Sequence, residues 1–221
     1  MHHAMFALAI LVVAVVVFKP LSRIVLLLFV RLGLRAGLED VGTRAVAKQP
    51  DCIRLTPEPG HAWSNNAAVA ALAAPLASLG FSDVGIYGIE AMAGLFLRLL
   101  VQPDQRVAAC IYEHPKVGTW IDFFSHYKDG TSVTYTTARP TGLDQRPGAK
   151  TVHASGMDSE ALYQQMLRER PAGEMEEMTP ENVVGRFEDA YARATAWRKN
   201  KGVSAEEVAR HIKQGPVKVQ H

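Results

Sequence analysis

Five short runs with the alternation of β-strands follow one another within residues 84–138, and this succession constrains the fold most. They are VGIYGIE (84–90), LFLRLLV (95–101), RVAACIYEH (106–114), TWIDFFSHY (119–127) and TSVTYTTA (131–138). The breaks between them are only a few residues long and carry Pro103-Asp104, Pro115 to Gly118, and Asp129-Gly130. Loops that short connect antiparallel neighbours, because a parallel pair needs a long crossover. The expected sheet is therefore a five-stranded antiparallel meander.

Asp129-Gly130 suits a two-residue type I′ turn. That turn would set His126 opposite Val133, Phe124 opposite Tyr135 and Asp122 opposite Thr137. It puts Trp120, Asp122, Phe124 and His126 on one face, and Ile121, Phe123, Ser125 and Tyr127 on the other.

Helical periodicity flanks the strands. Ser64 is the expected cap of an alanine-rich helix whose stripe is Val69, Leu72, Leu76 and Leu79, with Gly80 as its stop. Pro75 is expected to kink or split that helix. Residues 159–169 form a second helix, halted by Pro171. Thr179-Pro180 opens a third, with Val183, Val184, Phe187, Tyr191, Ala194 and Trp197 toward the core and Gly202 at its end. Ser204 and Glu207 read as a capping box for a last short helix. Residues 64–214 are thus an α+β domain, with 37–63 as a linker and 215–221 as a loose tail.

The first 36 residues have another character. Residues 4–18, AMFALAILVVAVVVF, hold no charge, and as a helix would span about 22 Å against a hydrocarbon core of roughly 30 Å. The expectation is a single transmembrane helix. After Lys19-Pro20, a second helix to Ala36 would place Lys19, Arg23, Arg31 and Arg35 within an arc of about 160°, suited to lying on anionic lipid headgroups. All of these cations follow the apolar run, so the positive-inside rule puts the domain in the cytoplasm. Net charge is only +2, and residues 63–221 hold seventeen basic against eighteen acidic side chains, which argues against a nucleic-acid partner.

No motif assigns a reaction. The chain has no CxxC or zinc spacing, no G-x-S-x-G, no P-loop and no dinucleotide fingerprint. Cys52 and Cys110 are expected as free thiols, and no cofactor or metal is indicated. The densest polar group is Glu113, His114, Asp122 and His126, the weak candidates for a membrane-tethered enzyme such as a hydrolase. Tyr112, Trp120, Phe124 and Tyr135 are candidate walls of a ligand pocket. The leading expectation is a membrane-anchored domain that binds a protein partner or a small or lipid ligand at the membrane surface.

Overall fold

The structure, a computed structural model, describes residue 33 and residues 35–214. Helix α1 covers residues 35–47. It is followed by β1 (Leu55–Pro57), α2 (Asn66–Ser78), β2 (Ser82–Ile89), β3 (Phe96–Gln102), β4 (Val107–His114), β5 (Gly118–His126), β6 (Ser132–Thr136), β7 (Ala149–His153), α3 (Ser159–Glu169), α4 (Val183–Lys201) and α5 (Ala205–Gln214).

The strands form one seven-stranded sheet in sequence order. Every neighbouring pair is antiparallel except β6 and β7, which run parallel. The sheet is therefore mixed and seven-stranded, not a five-stranded antiparallel meander. The five expected strands are β2 to β6. The two added strands escape the alternation rule for physical reasons. Strand β1 is three residues long and ends on Pro57, which only a sheet edge tolerates. Strand β7, AKTVH, is a half-exposed edge with no clean apolar face.

The expected linker, 37–63, holds most of α1 and all of β1. Among the described residues, no helix is long and apolar enough to cross a membrane. The described part of the chain is therefore an α+β fold with a mixed sheet and without a transmembrane helix. The apolar run 4–18, Lys19, Arg23, Arg31 and the tail 215–221 lie outside the described residues.

Both faces of the sheet are covered. Ala109, Ile111, Ile121, Phe123, Val133 and Tyr135 meet α2 and α3 through Val69, Leu76, Leu162 and Met166. Leu97, Leu99, Cys110, Tyr112 and Phe124 meet α4 through Val183, Val184, Phe187 and Tyr191. Central strand β4 is accordingly buried over nearly its whole length. Burial of this kind is the main stabilising term, at about 25 cal/mol per Å² of apolar surface. A third, smaller cluster joins Val46 of α1 to Val203 and Val208 around α5.

Helix α2 is capped by the Asn65 side chain, which accepts the Ala68 N–H at 3.0 Å. It ends where Gly80 turns left-handed at φ 83° and the Phe81 N–H reaches the Leu76 carbonyl at 3.0 Å. Pro75 does not split it: the helix runs unbroken past the proline, and the Leu79 N–H donates to the Pro75 carbonyl. Val69 and Leu76, on either side of the proline region, are clamped to one core, which offsets the forfeited bond. Helix α4 starts at Val183, and Thr179-Pro180 forms a turn leading into it, with the Val183 N–H on the Thr179 carbonyl.

The β5–β6 connection corrects the expected register. The Tyr127 N–H donates to the Thr131 carbonyl and the Gly130 N–H to the Tyr127 carbonyl, leaving Lys128, Asp129 and Gly130 as the loop. Gly130 has φ 83°, while Asp129 does not take a positive φ, so the turn is not type I′. The pairs are His126 with Ser132, Phe124 with Thr134 and Asp122 with Thr136. A shift of one residue turns every β6 side chain to the other face. Val133 and Tyr135 therefore enter the α3 core, and Thr134 and Thr136 face the α4 side.

Candidate functional site

On the α4 side, the apolar face of the sheet gives way to a polar one at β5, β6 and β7. Cross-strand pairing lines up Cys110, Asp122, Thr136 and His153 in one row and Phe124, Thr134 and Thr151 in the next. The crossover from β6 to β7, residues 137–148, meets β7 near its two ends, where the Ala138 carbonyl touches His153 Nδ1 and Gln145 Oε1 accepts the Thr151 N–H, and its residues Ala138 to Gln145 line a space above this surface. Between them is a cleft of about 640 Å³, walled by Trp120, Asp122, Thr134, Thr136, Thr151 and His153. Its roof and mouth are the crossover residues Ala138 to Gln145, with Arg198 of α4 and Arg210 of α5.

The roof is pinned from outside. Buried Glu207 of α5 accepts the Asp144 N–H at 2.8 Å and the Ser204 N–H at 2.9 Å, and pairs with Lys201. Burial pushes its carboxyl up, but Lys201 and these N–H groups outweigh it and bring the pKa down to about 2. Arg210 pairs with Asp144 and donates to the Gly142 carbonyl. Gly142 has φ 77°, and a Cβ there would stand 2.8 Å from the His211 nitrogen, so only glycine allows this approach of loop to helix.

Asp122 sits at the floor of the cleft. Its Oδ1 is buried with no hydrogen-bond partner. Burial raises its pKa to about 6, against the opposing pull of the Thr136 and Tyr112 hydroxyls. The neighbouring Cys110 thiol is pushed well up by burial, which keeps it neutral and a poor nucleophile. Both cysteines are free thiols. His126, two pleats along β5, is buried, and its Nδ1 also lacks a partner. Burial, then the charge of Arg193, lowers its pKa to about 4.

The four polar candidates do not form one site. Glu113 faces the opposite side of the sheet, where it accepts the Ser64 N–H at 2.9 Å and the Asn65 N–H at 2.8 Å beside His61. Burial raises its carboxyl, but those N–H donors outweigh it and hold it below the usual range. Glu113 is thus an anchor for the start of α2. Replacing it with alanine should lower the unfolding free energy by about 2 kcal/mol in urea titration at pH 7. Because the folded pKa is depressed, that loss should shrink as pH falls below 4.5. His114 is the last residue of β4, where its Nδ1 accepts the Lys116 N–H of the β4–β5 turn. Only Asp122 and His126 remain near the cleft.

The aromatic candidates divide too. Tyr112 and Trp120 stack at 4.7 Å and join Phe124 under Phe187 of α4, with Trp120 at the cleft wall. Tyr135 is on the other face, fully buried beneath α3. Arg35, expected at the lipid surface, pairs with Glu206 of α5 at 2.8 Å. Among the described residues, no group of three His, Cys, Asp or Glu side chains could hold a metal ion.

Sequence reasoning missed Thr134, Thr136, Thr151, His153, Arg198 and Arg210. The alternation of threonine with Val133 and Tyr135 is a usable signal for the first two. The others are joined to the cleft only by the crossover and by α4 and α5.

These features define a three-layer α+β domain with a roofed polar cleft on one face of a mixed sheet. Comparison with protein-family models, curated proteins and solved structures finds no match to this chain.

Proposed function

We propose that the domain binds a small polar ligand in the roofed cleft, and that it works at a membrane surface. The carrying observation is Asp122 Oδ1, a buried acceptor without a partner on the floor of a space large enough for a metabolite-sized molecule. Buried polar groups are nearly always satisfied, and a ligand hydroxyl or N–H would satisfy this one. Three threonine hydroxyls beside it supply further donors and acceptors. A lipid tail fits such walls poorly, because it would desolvate them without bonding to them.

A docking surface for a protein has less support. Among the described residues, the large apolar side chains that stand exposed are Val41 and Ile212 alone. The membrane placement is supported by the uncharged run 4–18 and the cations that follow it. A second reading, that the ligand is also turned over, draws on the same carboxyl. A pKa of about 6 suits proton transfer near neutrality, and Asp122 would carry it, not Glu113 or His114.

The test is thermal denaturation of the full chain against sugars, amino acids and nucleosides, each added singly. At a concentration a hundred times its Kd, a true ligand stabilises by about 2.7 kcal/mol. The rise in Tm should vanish in Thr136→Val, which removes a hydroxyl from the floor and leaves the strand intact. A rise that survives both Thr136→Val and Asp122→Asn would place the ligand elsewhere and end the proposal.

A further inference from the structure

We infer that the hollow next to the cleft, between α4 and the β6–β7 edge, receives an oxyanion: the phosphate or carboxylate end of the bound ligand. This deepens the ligand reading and rests on it. The hollow measures about 390 Å³ and shares Gln145, Thr151 and Arg198 with the cleft.

Its charge is lopsided. Arg146, Arg193 and Arg198 all line it, and among the described residues none of them pairs with a carboxylate. Arg146 donates only to the Gly130 and Pro147 carbonyls, and Arg198 to the Asp144 carbonyl at 3.5 Å. The one carboxylate present, Glu176, is already paired with Arg186. Three guanidinium groups around one small space are unfavourable unless an anion joins them, and guanidinium is the group best matched to phosphate and carboxylate.

A second observation is independent of charge. Arg198 Nε and His126 Nδ1 are both buried without a partner, and both residues line the hollow. Together with Asp122 Oδ1, they make three unsatisfied polar atoms on the walls of two adjoining spaces. Of the eight buried polar side-chain atoms without a partner among the described residues, these three line the two adjoining spaces, where one elongated molecule would lie. His126 is neutral at physiological pH, so it adds a hydrogen-bonding nitrogen and no charge. The Ser132 hydroxyl stands beside it on the paired strand.

The test is calorimetric titration of the full chain with inorganic phosphate and, separately, acetate. His126 ring-proton NMR shifts report the location. Saturable binding by either anion, moving the His126 signal, is expected. Arg193→Gln combined with Arg146→Gln should weaken it about tenfold or more, the scale of a lost charge-assisted hydrogen bond. Arg98→Gln, which removes a β3 surface cation that does not line the hollow, should leave it in place. Displacement of phosphate by phosphatidic acid in phosphatidylcholine vesicles would assign the anion to a lipid headgroup, and its persistence to a soluble molecule. Both outcomes keep the site. No saturable binding of either anion, or an affinity unchanged in the double variant, overturns the inference. A neutral ligand found for the cleft would still stand.

Discussion

Asp122→Asn should make the protein more stable at pH 7, by about 2 kcal/mol, while abolishing its response to ligand. The carboxyl titrates near pH 6 in the fold, against 3.8 for the free side chain. Between those values the unfolded chain releases the proton first, so rising pH favours unfolding. The full cost of such a shift is about 3 kcal/mol at neutral pH, less here because the side chain is partly open to the cleft. Asparagine keeps the shape and carries no charge to desolvate. A stabilising substitution that removes function is the expected signature of a strained binding residue.

His126 makes this prediction sharper. Its folded pKa of about 4 lies below the ordinary 6.5, so its contribution to stability falls as pH drops through that interval. Asp122 and His126 therefore have opposite slopes over nearly the same window. Between roughly pH 4.5 and 6 they should offset, leaving a flat profile in the parent chain. Asp122→Asn should unmask a rise of stability with pH, and His126→Phe a fall. Chemical denaturation at half-unit pH intervals reads both. If both variants keep the flat profile, the two groups do not have the environments described.

Glu207→Ala should be the most damaging single change considered, at about 3 kcal/mol, the scale of breaking a buried ion pair from one side. Alanine strands the Asp144 and Ser204 N–H groups and leaves Lys201 with Asp144 alone. The sign with pH is opposite to that of Asp122. Because the folded pKa is near 2, the stabilisation is complete above pH 4.5 and is lost as pH falls toward 2. Amide exchange at Asp144 should accelerate along with the global loss. Glu207→Gln, which keeps an acceptor, should lose less. If alanine costs under about 0.5 kcal/mol, the loop is held by other contacts.

Much of the fold could be read from local pattern, and most of the site could not. Alternation correctly placed Trp120, Asp122, Phe124 and His126 together on β5, because a period of two is set by the backbone itself. The capping box of Ser204 and Glu207 was legible for the same reason: it is local, and the Glu207 N–H does reach Ser204 Oγ. The failure at Tyr135 came from turn chemistry. Asp129-Gly130 fits a two-residue turn, but the loop closes over three, and the faces of β6 exchange. The cleft depends on that exchange, since it brings Thr134 and Thr136 alongside Asp122. Strand β7 and the second role of Glu207, holding the crossover, depend on residues far apart in sequence, which no local period encodes. The same applies to Glu113, a carboxylate whose partners lie 48 and 49 positions away.

The crossover also bears on the order of assembly. Strands β2 to β6 each pair with the next in sequence, so their contacts close short loops at small entropic cost. The roof is different: its fastening, Glu207 on Asp144, spans 63 positions. The sheet can nucleate without it, and the enclosed space takes its final shape only when α5 docks. During refolding, ligand protection should therefore lag behind the recovery of β-sheet signal.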